Sequence, residues 1–207
     1  QGEFEGKIFG KGELQIDGTA TCRTEVETDN IVIGGTVEGN VKATQRLKLN
    51  AQARVKGDIV ADRLFAEEGA RIVVADINAE AAEETAETVE GRGGKAIAAI
   101  GDVASETDVR RMVEEGIDAF GELTILYSNA GVLWKDRDRS VLETDEQSWD
   151  RVMDINLKSV FWLTKHGIPH LKRAGGGSIV LAGSVSALAG FTRAQDAYTA
   201  AKGALVS

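Results

Sequence analysis

Tyr198 and Lys202, four residues apart, are the pair in this sequence best suited to moving a proton. On a helix that spacing sets both side chains on one face. A phenol with an ordinary pKa near ~10 is a poor acid–base catalyst at neutral pH, and a fixed ammonium beside it favours the phenolate. A lone Tyr-x-x-x-Lys is weak evidence, because surface helices carry it by chance. Three further features converge with it. Ser184 lies 14 residues earlier, just after an apolar run; Ser128-Asn129-Ala130-Gly131 is a turn of small residues; and Asp76 closes another apolar run. In dinucleotide-binding folds a strand-end carboxylate accepts hydrogen bonds from ribose hydroxyls and repels a 2′-phosphate. An Asp there is more often only a turn or cap residue, so the conjunction carries the inference.

These residues need elements that bring them to one edge. Residues 70–76 (ARIVVAD), 96–102 (AIAAIGD), 123–129 (LTILYSN) and 178–183 (SIVLAG) read as nearly continuous apolar strands. Between them, 78–91, 107–120 and 145–174 read as helices, the last with Pro169 marking a turn or kink. A final helix is expected at 196–207. This alternation predicts a doubly wound, Rossmann-type α/β parallel sheet, with the candidate residues at the carboxyl ends of its strands. His166 and His170 have no third ligand in view, so they read as helix-surface residues and no metal site is expected. The acidic run Glu80–Glu90 reads as a solvated helix face.

Residues 1–63 follow another plan. They carry 9 basic and 10 acidic side chains, against 15 and 23 in the remaining 144, and only Phe4 and Phe9 of the 11 aromatics. A repeat of 16 to 18 residues runs through them: Leu14–Thr19 matches Ile31–Thr36, and Val37–Ala43 matches Val55–Ala61. Each repeat reads as two or three short strands with every second residue apolar. Such a unit buries its apolar face only by stacking, which predicts a β-solenoid of about three to four turns. Val37 would lie over Val55 and Val41 over Ile59; a β-meander or barrel is the alternative. Cys22 reads as a small packed residue rather than a reactive one.

The whole chain bounds its partners. With 207 residues, 43 % of them hydrophobic, it is long enough for one ordinary domain or two small ones. A net charge of −9 argues against nucleic acid and membrane surfaces as partners. One cysteine excludes an intrachain disulfide framework and fits a reducing compartment. No signal peptide is visible, although the chain opens at Gln1 without a methionine, and no apolar run approaches the roughly 18 residues of a membrane span. The expectation is a soluble, cytoplasmic protein.

Two family resemblances follow. GKGELQIDG at 10–18, GGTVEGNVKA at 34–43 and ARVKGDIVA at 53–61 resemble the bactofilins, cytoskeletal proteins built as a right-handed β-helix. That resemblance spans about residues 4–63 and implies nucleotide-independent, end-to-end polymerisation. From about Arg63 onward the chain resembles the classical short-chain dehydrogenase/reductase family. The matching stretches are RLFAEEGARIVVADIN at 63–78, GDV at 101–103, SNAGV at 128–132, MDINLKSVF at 153–161, GSVSALAG at 183–190 and YTAAKGAL at 198–205. It implies NAD-linked interconversion of a secondary alcohol and a ketone. By position it would make Tyr198 the acid/base, Lys202 the holder of the nicotinamide ribose and the group that lowers the Tyr198 pKa, Ser184 the polariser of the carbonyl, and Asn156 the end of a water-linked proton relay. Asp76 would select NAD over NADP, Asp102 and Val103 would border the adenine, and Asn129, Ala130 and Gly131 would line the cofactor cleft.

The departures from that family are as informative. Its pattern opens with a strand, a TGxxxGxG-type loop and a helix, and residues 1–63 hold none of these. The missing strand belongs between 70–76 and 123–129, and the loop normally cradles the pyrophosphate at a helix N-terminus. The chain stops at Ser207, ahead of the segment that shapes a substrate pocket. The expectation is a dehydrogenase signature with impaired cofactor binding; the alternative is a polymerising scaffold carrying an inert fragment. Residues 64–72 fit the dehydrogenase pattern and also continue the solenoid at an offset of 17, with Leu64 under Leu47 and Ala70-Arg71-Ile72 under Ala53-Arg54-Val55; the repeat then fails at Val74, where Gly57 predicts glycine. A chimera of units 1–63 and 64–207, joined where both families tolerate the sequence, accounts for this.

Overall fold

The computed structural model describes residues 3–38, 41–50, 54–56, 59–61, 64–66, 70–189 and 193–206. The N-terminal part forms β1 (Glu3–Phe9), β2 (Glu13–Ile16), β3 (Thr21–Ile33), β4 (Thr36–Glu38), β5 (Val41–Leu49), β6 (Arg54–Lys56), β7 (Ile59–Ala61) and β8 (Leu64–Ala66). Their pairings are all parallel, with β3 bonded along different stretches to β1, β2, β4 and β5. The register follows the sequence repeat: Leu14 lies against Ile31, Val37 against Val55, Val41 against Ile59 and Leu47 against Leu64.

Alternate residues of β3 turn inward from Cys22 to Thr28 and again at Ile31 and Ile33, and Ile16, Val26, Ile31, Ile33, Val37, Val41 and Leu47 belong to the core. Cys22 is buried there, as expected, and burial pushes its thiol pKa up. Two inward threonines would be costly without partners. The Thr24 hydroxyl donates to the Gly6 carbonyl, and that of Thr28 to the Gly12 carbonyl at 3.1 Å. The 13 residues of β3 are longer than the short strands expected, because no Gly or Pro interrupts them. They bend instead, at a register shift against β5 between Thr28 and Asn30. There the Asp29 carboxylate accepts from the Gly12 amide at 3.0 Å and the Thr44 hydroxyl at 2.7 Å.

The second part runs β9 (Arg71–Asp76), α1 (Ala79–Glu90), β10 (Lys95–Ile100), α2 (Glu106–Phe120), β11 (Ile125–Ser128), α3 (Glu146–Met153), a π-helical turn (Asp154–Lys158), α4 (Ser159–Arg173), β12 (Ser178–Leu181), a 3₁₀ turn (Val185–Ala187) and α5 (Asp196–Ala204). Asn78, Ser105 and Asp145 each cap a helix by accepting the amide three residues on. Gly121, at φ 83°, ends α2 in the left-handed region that glycine enters without strain. Strands β9 and β10 pair in parallel, as do β11 and β12. The expected parallel sheet is therefore present as two halves, with no pairing between β9 and β11 among the described residues. That is where the absent strand was expected.

Several expectations are corrected. Pro169 marks no turn but lies inside α4, where it lacks the amide that would bond the Lys165 carbonyl. The mainly helical stretch expected at 145–174 is α3, the π turn and α4 in succession, whereas the last helix, expected to run to 207, ends at Ala204. Residues 71 and 72 do not extend the stack but pair with β10, whereas β8, just past residue 63, still pairs with β5. His166 is not a free surface group: its side chain is 19 % exposed, with Nε2 3.1 Å from Glu106 Oε1. The His170 Nδ1 meets the Arg173 guanidinium at 2.6 Å. The glutamates of α1 are exposed, as expected.

Candidate active site

Glycine at 131 lets three elements meet. A Cβ there would lie 2.8 Å from Asn156 Oδ1 and 3.6 Å from Lys202 Nζ. Asn156 sits on the π turn and is 1 % exposed. Its Oδ1 accepts from the Val132 amide at 3.2 Å, and its Nδ2 donates to the Val132 and Val152 carbonyls at 2.9 Å each. The side chain thus pins the backbone just after the Asn-Ala-Gly turn and takes up a carbonyl within its own helical stretch. Single π turns recur where a helix must present such a group.

Lys202, on α5, is 5 % exposed. Its Nζ donates to the Ala182 carbonyl at 2.6 Å and lies 5.9 Å from the centre of the Tyr198 ring. Burial holds the ammonium pKa below its ordinary value. Tyr198 itself is half-buried one turn earlier. Ser184 heads the 3₁₀ turn, its hydroxyl accepting from the Ser186 amide at 3.2 Å, and α5 packs on that turn. The structure therefore gathers Gly131, Asn156, Tyr198 and Lys202, and sets Ser184 on the segment against which α5 rests.

Asp76, Asp102 and Val103 stand on the other half of the sheet. The Gly101 amide donates to the Asp76 carbonyl at 3.0 Å, which keeps the two strand ends together. Asp76 is exposed, and one carboxylate oxygen accepts from the Asn78 amide at 2.9 Å, the turn role that any strand-end Asp can take. Asp102 is more tightly held. Burial raises its pKa, but the Ala104 amide at 2.9 Å and the Arg151 guanidinium at 2.8 Å outweigh that and leave it below the ordinary value. Val103 is half-buried; Asn129, whose Oδ1 accepts from the Tyr127 hydroxyl at 2.9 Å, and Ala130 are exposed. Sequence reasoning missed Arg151, which ties α3 to the end of β10, and Asp138, which touches α5. Neither had a spacing signal, because each acts across more than forty residues. No group of three or more metal-ligating side chains occurs among the described residues.

Parallel strand–helix units with an asparagine, a tyrosine and a buried lysine gathered beside a glycine turn define a Rossmann-like α/β protein with a candidate active site. The short chain dehydrogenase family model matches residues 57–207, and the chain belongs to that family. The bactofilin family model, described as polymer-forming cytoskeletal, matches residues 1–75, so residues 57–75 satisfy both. An uncharacterized oxidoreductase of Thermotoga maritima is 36 % identical over 143 residues, covering 69 % of this chain and 55 % of its own. A cyclohexanol dehydrogenase of Acinetobacter sp. is 37 % identical over 139 residues, covering 67 % and 54 %. Among solved structures, NAD+-bound xylitol dehydrogenase aligns with a TM-score of 0.61 at 28 % identity, covering 66 % of this chain and 51 % of that one. A 3-ketoacyl-ACP reductase from Sinorhizobium meliloti aligns at 0.62 and 32 %, covering 67 % and 54 %. The chain spans about half the length of these relatives.

Proposed function

We propose that residues 64–207 carry the chemistry of NAD-linked interconversion of a secondary alcohol and a ketone, with the cofactor held weakly at its phosphate end. The observation that carries this reading is Lys202: a buried ammonium placed between the Tyr198 ring and the Gly131–Asn156 contact. Glycine at 131 lets the backbone come close to Asn156 and Lys202, which suits a turn bordering the nicotinamide–ribose end of a dinucleotide. A bound nicotinamide supplies the hydride acceptor for an alcohol, or the donor for a ketone. The chain's own residues do the rest. The Tyr198 hydroxyl takes or gives the proton at the substrate oxygen, and Ser184 donates a hydrogen bond to that oxygen. Lys202 holds the ribose hydroxyls, and Asn156 ends the water-linked relay. Asn129, Ala130 and Gly131 line the cleft, Asp102 and Val103 border the adenine, and Asp76 favours NAD over NADP. The relatives named for cyclohexanol and xylitol support an alcohol substrate.

The weakness has a physical source. Ahead of β9 the chain carries the strand stack where the family has its glycine-rich loop. Two or three lost charged hydrogen bonds, at roughly 1.5–3 kcal/mol each, move a micromolar site to millimolar. Titration with NADH, read as energy transfer from Trp134, Trp149 and Trp162 with NADPH as control, tests this. Saturation in the millimolar range with NADH ahead of NADPH is the expected result; no saturation at all would remove the enzyme reading.

A second reading rests on the in-register parallel stack. We infer that the stack is a right-handed β-solenoid whose open end takes another copy, which makes the chain a scaffold with an inert dehydrogenase fragment. The division near residue 63 belongs to this reading. Sedimentation decides it: filaments or large oligomers favour the scaffold, a dimer or tetramer the enzyme. Both readings place the chain in the cytoplasm, without nucleic-acid or membrane partners. Among the described residues no helix is long and apolar enough to cross a membrane.

A further inference from the structure

The segment joining β11 to α3 carries a carboxylate that no motif assigns. Asp138 is fully buried. Its Oδ1 accepts from the Ala197 amide at 3.0 Å and its Oδ2 from the Tyr198 amide at 2.8 Å. The first amides of a helix have no carbonyl within the helix and are ordinarily capped by the residue just before it. Gln195, which precedes α5, makes no side-chain cap bond. The cap comes instead from a residue 59 and 60 positions upstream.

The attachment is reciprocal. The Asp196 amide donates to the Arg139 carbonyl at 3.0 Å, and the Val141 amide donates to the Asp196 carboxylate at 2.7 Å. Arg193 donates to the Lys135 carbonyl at 2.6 Å and pairs with Asp136 at 3.6 Å. The loop is braced within itself, the Asp138 amide donating to the Trp134 carbonyl at 2.8 Å and the Arg139 amide to the Thr144 hydroxyl at 2.9 Å. A buried carboxylate is costly unless its oxygens are bonded, and here both are, at a helix end whose dipole favours negative charge.

Cap bonds ordinarily hold a helix in general; these two hold the backbone of the candidate acid/base and of its neighbour. The phenol leaves the chain at the very residue whose amide Asp138 grips, and Lys202 follows one turn later. We propose that Asp138 is the positioning residue for Tyr198, fixing the first turn of α5 and with it the phenol's place relative to Lys202, Asn156 and Gly131. The functional consequence rests on the dehydrogenase reading; the geometry does not. Asp138→Asn is the sharpest probe, because it keeps the shape and one acceptor oxygen but turns an NH2 donor toward an N–H donor.

The experiment uses the full chain, with Tyr127→Phe as background so that Tyr198 is the single tyrosine of the two present. Amide hydrogen exchange and the resonance of the ¹³C-labelled tyrosine ring are read side by side. In the unmodified chain, the amides of Ala197 and Tyr198 are expected to be protected. Exchange there as fast as in an uncapped first turn would overturn the proposal without any variant. In Asp138→Asn, exchange at these two amides is expected to rise about tenfold or more and the ring resonance to move, with α1, β9 and β10 unchanged. An unmoved ring with unchanged protection would refute the positioning role, and so would exchange that rises equally throughout the α/β part. With NADH and a ketone, kcat is expected to fall about tenfold at constant KM, the sign of a contact that matters at the reacting atoms. Absence of turnover in the unmodified chain would sink the dehydrogenase reading alone, since the amides and the ring still decide the role of Asp138.

Discussion

An ammonium buried against a carbonyl costs stability unless its charge is needed there. Lys202 is such a group, with a pKa held down by burial. Between that lowered value and the unfolded one near ~10.4, the unfolded chain binds the extra proton, so stability rises with pH across this window. Lys202→Met removes the cost and is expected to raise Tm by about 2–4 °C, while abolishing any NADH binding that titration detects. A fall in Tm would make the ammonium structural. Asp102 has the opposite sign. Its lowered pKa adds stability that is present above the unfolded value near ~3.9 and lost as pH falls through the folded one. With the Asp102 and Arg151 side chains 30 % and 36 % exposed, solvent screens the pair to about 0.5 kcal/mol. Urea unfolding of Arg151→Leu should show that loss at pH 7 and none near pH 2; an equal loss at both would assign Arg151 to packing. Tyr198 and Lys202 stood out as a pair by their types and spacing, whereas Asn156 came only with the resemblance to the dehydrogenase family. Asp138 and Arg151 did not stand out, because no local pattern marks a partner that folding brings from far along the chain.

Helix ends were read to within a residue for 78–91 and 107–120, against Ala79–Glu90 and Glu106–Phe120. The π turn at Asp154–Lys158 was not legible, since one extra residue in a helix leaves no mark on composition or period. Contacts between elements were equally hidden, and Gly167 is an example. A Cβ at this position would lie 2.5 Å from Leu126 Cδ1, where α4 crosses β11. Leu126 is 4 % exposed, so any shift of its side chain disturbs packed neighbours. Gly167→Ala gains about 1 kcal/mol of helix propensity and costs about 1–3 kcal/mol in overpacking. Chemical denaturation should therefore find the variant less stable by up to about 2 kcal/mol. A gain would show that α4 stands farther from β11 than its glycine indicates.

The register of the described strands was written in the repeat, because equivalent residues of successive repeats are the ones that pair. How the stack meets the α/β part was not, since that contact joins residues more than a hundred positions apart. Val180 is 6 % exposed within the same apolar cluster as Val26, Val37 and Leu47, and Ile125 packs at its edge. Both lie on the half-sheet of β11 and β12, which has no strand beyond it toward β9 among the described residues. The stack thus covers apolar surface of an incomplete sheet, and the two parts should unfold together. All three tryptophans lie beyond residue 130, so their fluorescence follows the α/β part alone, while far-ultraviolet circular dichroism follows the strands of both. The two signals should coincide on heating the unmodified chain. Val180→Asp places a charge in that contact at a cost of about 2–4 kcal/mol, and should split the transition, with fluorescence moving first. Separate transitions in the unmodified chain would mean that the join at 57–75 is only a tether. The dehydrogenase half would then have to hold its two pairs of strands together with no help from the stack.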